Sequence, residues 1–345
     1  MKLWDKADSV VLRNFFDYWK DPLINKFLNS DASNNYEGIL ILRKGKKPVW
    51  LSHPFHYPEA KNTFKNNAIV VSYKSMQDIK NAMHKYTGKI VGYNPKHQTV
   101  TSFKNLHKFL KGRKFVDVED QLEDEREIKT LDEIKKITTA SRETIKVLKL
   151  TKKWLRIGVT EIEIERKIRE KFEEDGFTLA FPIIVAFGKN TEFIHHIPTN
   201  NKLKYGPVLI DLGAKYKGYC SDFTESYYFG EEKESVKKSK SYKEYTKIKN
   251  RVEKCLLDVE ALLKPGTKAS KLWKATKQLG EHPYALGHGV GLEAHDYPIG
   301  IGPKSRYKLK EGMILAIEPG LHKKNLGIRI EKNYLITKKG YTKLS

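Results

Sequence analysis

Four acidic residues stand where apolar strand patterns leave no place for a solvated charge. Asp211 closes VLID, Asp222 lies in YCSDFT, Glu318 follows ILAI and Glu331 follows GIRI. Each is flanked by residues suited to a core. An isolated buried carboxylate costs roughly several kcal/mol unless it is paired or bound to a cation. Few Lys or Arg share these strands, Arg329 being the clearest. The fold must therefore bring positive charge to these positions, and four unrelated ion pairs would need partners the neighbouring sequence does not offer.

The spacing favours a shared site. GAKYKG separates Asp211 from Asp222 as a turn would, which predicts two aspartates side by side on adjacent antiparallel strands. GLHKKNLG stands between Glu318 and Glu331 in the same way. Two hairpins carrying two carboxylates each, joined by His288 from a glycine-rich strand, make a site for two divalent cations. Oxygen-rich ligation with one imidazole suits Mn, Co or Fe at least as well as Zn. His288 belongs to LGHGVGLEAHDYP, which also holds His295. Glycines argue against a helix there, and in an extended run an odd spacing of seven sends the two rings to opposite sides. That predicts separate roles for the two histidines.

The rest of the chain predicts an α/β (α+β) fold in two domains, 1–122 and 123–345. In the first, YEGILILRKGKKPVWLS (36–52) reads as a hairpin around Gly45, and 67–73 and 89–94 as short strands. Helical spacing covers 75–86 and 101–112. Five histidines (His53, His56, His84, His97, His107) are scattered through it without forming a constellation. Composition shifts in the acidic stretch 118–133. Thr130 with Glu133, and Thr160 with Glu163, are capping boxes that open two helices, the second ended by Gly176. Strand patterns follow to residue 230, then helix from about 241 to 280 broken at Pro265-Gly266, then strands again. The repeated order of helices and strands predicts two similar halves facing a common site.

Lys and Arg outnumber Asp and Glu by 65 to 42, a formal charge of +23. Such an excess raises nucleic-acid binding, but the basic runs RKGKKP (43–48) and KKSKSYKEYTKIKNR (237–251) are mixed with other residues and carry no recognition signature, so none is expected. The charged N-terminal stretch lacks a signal-peptide run, and no apolar stretch reaches membrane-spanning length. Two cysteines, Cys220 and Cys255, are too few for a disulfide framework. A cytoplasmic, reduced setting is expected.

At IDLGAKYKGYCSDFTES, LGHGVGLEAHDYP, ILAIEPGLH and GIRIEKN the chain resembles the pita-bread metallopeptidases, the family of creatinase, aminopeptidase P and prolidase. The resemblance covers roughly residues 120–345, and the preceding residues look like the creatinase-type N-terminal domain. Within the family the chain is similar to the short archaeal prolidase-like Xaa-Pro dipeptidases. The resemblance implies metal ligands at Asp211, Asp222, His288, Glu318 and Glu331. The two aspartates would take one cation, His288 and Glu318 the other, with Asp222 and Glu331 bridging. It also implies a proton-handling histidine in HHIPT, assigned to His195 rather than His196, and a second non-ligand histidine at His295. Two positions depart from the family pattern: Glu225 stands where arginine is common and Lys332 where aspartate is common.

The implied activity is hydrolysis of the bond before proline at the N-terminus of a short peptide, with a homodimer as the implied assembly. A water shared by two cations would attack the carbonyl, and Glu318 would accept its proton. His295 would hydrogen-bond the developing oxyanion, and His195 would supply the proton that the proline nitrogen needs. Arg329 would bind the substrate carboxylate, or else brace Glu331 or Asp222. Xaa-Pro dipeptidase is the first expectation, an Xaa-Pro aminopeptidase acting on longer peptides the alternative, and a binding module without catalysis the reading outside the enzyme class.

Overall fold

A computed structural model describes residues 3–14, 20–31, 35–280 and 284–344. The chain divides into two compact units, Met1–Glu125 and Arg126–Ser345.

The first unit is built on a six-stranded sheet: β1 (Ser9–Asn14), β2 (Gly38–Arg43), β3 (Lys46–Ser52), β4 (Ile69–Ser72), β5 (Ile90–Tyr93) and β6 (Lys114–Asp117). The spatial order is β4-β3-β2-β1-β5-β6. The β2–β3 hairpin turns at Gly45, whose φ of 65° suits glycine. Helices Met76–Tyr86 and Val100–Phe109 lie where the spacing predicts them. Val11, Ile41, Val49 and Val91 from the sheet meet Met83 and Leu106 from these helices in one core.

The second unit opens with the helix Leu131–Trp154, started by the Thr130–Glu133 capping box. A second box at Thr160 and Glu163 starts the helix Glu161–Glu174. Both helices pack on strands that follow: β7 (Thr178–Leu179), β8 (Ile184–Phe187), β9 (Gly206–Leu212), β10 (Ala214–Tyr216), β11 (Tyr219–Cys220) and β12 (Phe223–Phe229). β8, β9 and β12 form one antiparallel sheet and β7, β10 and β11 another. Ile164, Ile168 and Phe172 of the helix meet Val185, Ile210 and Phe223 of the sheet in a core.

The plan then repeats. Helices Lys240–Glu260 and Ala269–Lys274 cover β13 (Gly287–Gly289), β14 (Ile314–Ile317), β15 (Gly320–Lys323), β16 (Leu326–Arg329), β17 (Lys332–Ile336) and β18 (Tyr341–Lys343). β13, β14, β17 and β18 are sheet neighbours, and β15–β16 is a separate hairpin turning at Asn325, φ 64°. Val252, Leu256 and Val259 pack against Leu315, Ile317 and Ile336 in a second core. The two halves meet through the backbone where Glu331 N–H donates to the Thr224 carbonyl at 3.0 Å. Among the described residues no helix is long and apolar enough to cross a membrane.

Candidate metal centre

All four strand carboxylates and His288 come together around one cavity of about 940 Å³. Asp211 sits one residue from the end of β9, and Asp222 immediately precedes β12. They are not cross-strand partners as the turn-like spacing suggests: Asp211 faces Thr224. The reason is that a second small hairpin, β10–β11, is inserted between them and turns at Lys217 and Gly218, both with positive φ. The aspartates still converge, since carboxylate oxygens of Asp211, Asp222 and Glu331 lie within 4.8 Å of one another. Glu318 and Glu331 flank the β15–β16 hairpin, whose register pairs Gly320 with Arg329 and so sets both glutamates at its open end.

His288 Nε2 lies 3.5 Å from Glu318, 3.8 Å from Asp222 and 3.9 Å from Glu331. Donor atoms that each sit about 2.0–2.6 Å from a cation are themselves about 3–4 Å apart. Nδ1 of His288 donates to the Gly289 carbonyl at 3.0 Å, which turns the Nε2 lone pair toward the carboxylates. Burial, with His295 beside it, pushes the His288 pKa down to about 3, so the ring is neutral and able to ligate.

The carboxylates show the opposite shift. Burial pushes Asp222 and Glu331 well above the usual range, and the surrounding carboxylates add to it. Burial raises Glu318 to about 8. It also raises Asp211, although the Arg329 guanidinium opposes the shift. Asp211 Oδ1 and Glu331 Oε1 are buried with no hydrogen-bond partner among the described residues. Orphaned, crowded carboxylate oxygens facing a neutral imidazole are a donor set that fits divalent cations, which supply the charge these groups lack.

The neighbours of these candidate ligands are the residues that sequence reasoning missed. Thr224 Oγ1 donates to Glu331 at 2.7 Å and accepts from Arg329 Nε at 3.1 Å. Asn333 bridges both backbone groups of Asp222, accepting from its N–H and donating to its carbonyl. Their signal was their position, inside SDFT and two residues after Glu331, where a buried polar side chain needs partners. Arg329 is 2% exposed. Its Nη2 donates to Asp211 at 2.5 Å and its Nη1 to the Ile194 carbonyl at 3.3 Å. The bracing role is therefore the one its partners support, with Asp211 as the group braced.

His195 and His196 are separated by their surroundings. His196 Nε2 lies 2.8 Å from the fully buried Glu161 carboxylate, whereas His195 is exposed on the cavity wall. Burial alone would raise Glu161, but hydrogen bonds from His196, Thr199, Phe187 and Asn190 outweigh it and leave its pKa below the usual value.

His295 corrects the expectation of rings on opposite sides. Its ring stacks on His288 with centroids 3.9 Å apart. The extended run stops at Gly289, residues 291–294 bend, and Asp296 N–H returns to the Gly289 carbonyl at 2.8 Å. Strand alternation thus no longer counts across the interval. Asp296 holds the bend: it accepts from Leu292 N–H, from Tyr297 N–H and from Arg126 Nε. A ring nitrogen of His295 also lies within 4.8 Å of donor atoms of Asp222 and His288.

Close backbone approach explains two of the glycines in this stretch. A Cβ at Gly287 would lie 2.0 Å from the Ala316 carbonyl oxygen, and one at Gly289 would lie 2.2 Å from that of Tyr297. The remaining walls of the cavity are apolar, with Phe181, Ile184, Ile194, Ile197, Pro198 and Ile299 prominent. Neither Glu225 nor Lys332 lines it.

Comparison with known proteins agrees with this architecture. The pattern of Metallopeptidase family M24 matches residues 135–338, and that of the Creatinase/Prolidase N-terminal domain matches residues 29–128. An uncharacterized peptidase of Staphylococcus epidermidis is 32% identical over 285 residues, covering 74% of this chain and 78% of the relative. The prolidase from Pyrococcus horikoshii OT3 is 28% identical with a TM-score of 0.83, covering 99% of this chain and 95% of that one. The X-Pro aminopeptidase from Thermotoga maritima MSB8 shares the fold, with a TM-score of 0.84 at 23% identity over 98% of this chain and 95% of that one.

Proposed function

The chain belongs to metallopeptidase family M24, and from that premise we propose that it is a metal-dependent Xaa-Pro peptidase acting at the N-terminus of short peptides. The observation that carries this reading is the convergence of three buried carboxylates, the half-buried Glu318 and one neutral imidazole beside three further histidines in a single cavity.

Asp211, Asp222, His288, Glu318 and Glu331 hold two divalent cations in this reading, Mn or Co first, with Fe or Zn as alternatives. When bound, the cations supply Lewis acidity toward the scissile carbonyl and lower the pKa of water. Every other part of the work falls to the chain. Glu318 accepts the proton of the attacking water. His295, stacked on His288, presents a ring N–H to the carbonyl oxygen as that oxygen gains charge. His195, on the opposite side of the bond, delivers a proton to the proline nitrogen so that it leaves as an amine. The apolar walls exclude water and receive the side chain before proline.

Dipeptides are the first substrate class. Longer peptides are favoured by one observation: Arg329, the cation of the cavity lining among the described residues, is already engaged by Asp211, Thr224 and Ile194. A substrate carboxylate therefore gains little from it. The reading includes the homodimer and the cytoplasmic setting, the latter in keeping with two buried free thiols. The test is hydrolysis of Ala-Pro and Ala-Pro-Ala by protein loaded in turn with Mn, Co and Zn. Cleavage before proline by at least one form supports the proposal; preference for the tripeptide replaces dipeptidase by aminopeptidase. Protein that holds metal and cleaves neither peptide refutes it.

A further inference from the structure

The segment carrying His195 runs from the end of β8 through a short 3-10 helix (Gly188–Glu192) to residue 202, and from Phe193 onward it has little regular structure of its own. It is wrapped around one side chain. Glu161, at the first position of the helix Glu161–Glu174, is fully buried and accepts hydrogen bonds along the whole segment. Oε1 takes Phe187 N–H at 2.8 Å, Asn190 Nδ2 at 2.9 Å and Asn201 Nδ2 at 3.2 Å. Oε2 takes His196 Nε2 at 2.8 Å, Thr199 N–H at 3.0 Å and Thr199 Oγ1 at 2.7 Å. One carboxylate thus fixes both ends of the segment and the residue next to His195. The helix N-terminus favours its negative charge.

We propose that Glu161 is a positioning residue for His195: it gathers residues 187–201 around its carboxylate and so aims the His195 ring into the cavity. A surface acid at a helix start needs at most one or two such bonds, and a merely stabilising salt bridge would not reach both ends of a fifteen-residue segment. A second tether has the same sense, since Arg329 Nη1 holds the carbonyl of Ile194, the residue before His195. The kinetic consequence rests on the Xaa-Pro peptidase reading; the ordering of the segment does not.

The experiment therefore has two arms. In metal-free protein, Glu161→Gln should speed amide exchange at Phe187 and Thr199 at least tenfold while leaving the core strand β9 protected. In Mn-loaded protein with unchanged metal content, the same change should lower kcat on the better of Ala-Pro and Ala-Pro-Ala tenfold or more, with KM within twofold. In a His195→Ala background it should lower kcat by less than twofold, because the residue it positions is gone. Unaltered exchange at Phe187 and Thr199 overturns the proposal, as does a full tenfold loss in the His195→Ala background. If wild-type protein holds metal but cleaves no Xaa-Pro peptide, the functional reading fails, and the exchange arm still decides whether Glu161 orders the segment. Should Glu161→Gln not fold, Thr199→Val and His196→Leu each remove one of its donors and carry the same two arms.

Discussion

Arg329→Met is the substitution whose cost the structure specifies most closely. Arg329 and Asp211 form a buried pair 2.5 Å apart, with side chains 2% and 10% exposed, so solvent screens it little. Burial disfavours the charged guanidinium, but Asp211, Tyr284, Glu318 and Glu331 together more than offset that and keep it charged, Asp211 being the largest of them. Removing one member of such a pair costs about 3–5 kcal/mol, because the other charge is left buried alone. Here the abandoned group also faces Asp222, Glu318 and Glu331, which sets the expectation at the upper end. In a domain of this size each kcal/mol moves Tm by about 2–4 °C, so at about 5 kcal/mol metal-free Arg329→Met should melt about 10–20 °C lower than wild type. Divalent cations replace the missing charge, and saturating Mn should recover more than half of the loss. Thermal melts of both forms, with and without chelator, measure this directly. A drop under about 2 °C in the metal-free protein would refute the reasoning and return Arg329 to substrate binding. In that case KM should rise for Ala-Pro and not for Ala-Pro-Ala.

Asp222→Ala should lower kcat at least about a thousandfold and reduce bound metal while circular dichroism stays unchanged; retained activity would sink the ligand assignment. Adding Mn or Co at about 100 times its Kd should stabilise chelator-treated wild type by about 2.7 kcal/mol, and an unmoved melting curve would count against a cation site. Asp296→Ala frees the bend that lays His295 on His288, so kcat should fall tenfold or more with metal content unchanged; an unchanged kcat would deny His295 its part. Glu161 has a folded pKa below its unfolded value, so its stabilisation is present above that unfolded value and is lost as pH falls through the folded one. Glu161→Gln should therefore lose less stability than wild type between about pH 5 and 3, as followed by urea unfolding at each pH.

The convergence of the four carboxylates was legible because each breaks a local rule: a charge inside an apolar strand has no explanation short of a partner. The capping boxes at Thr130 and Thr160 were legible for the same local reason, since both halves of the contact lie three residues apart. What failed was anything that depends on where a strand stops. The stacking of His295 on His288 follows from a bend at 291–294 that no periodicity announces, and the inserted β10–β11 hairpin displaced Asp222 from its expected cross-strand place. Glu161 was hidden in another way. In sequence it is an ordinary acid in the first turn of a helix, and its partners lie 26 to 40 residues away.

The bare Cα of Gly287 reaches further than the turn chemistry usually credited to glycine. β13 lies against β14 with Gly287 opposite Ile317, and Glu318 N–H is bonded to the Leu286 carbonyl at 2.9 Å. A methyl group at residue 287 would collide with the Ala316 carbonyl oxygen and push those two strands apart. His288 rides on one and Glu318 follows the other, so the 3.5 Å spacing between these two candidate donors would widen. The distance between the His288 ring and the Glu318 carboxylate is thus governed by an atom the sequence leaves out.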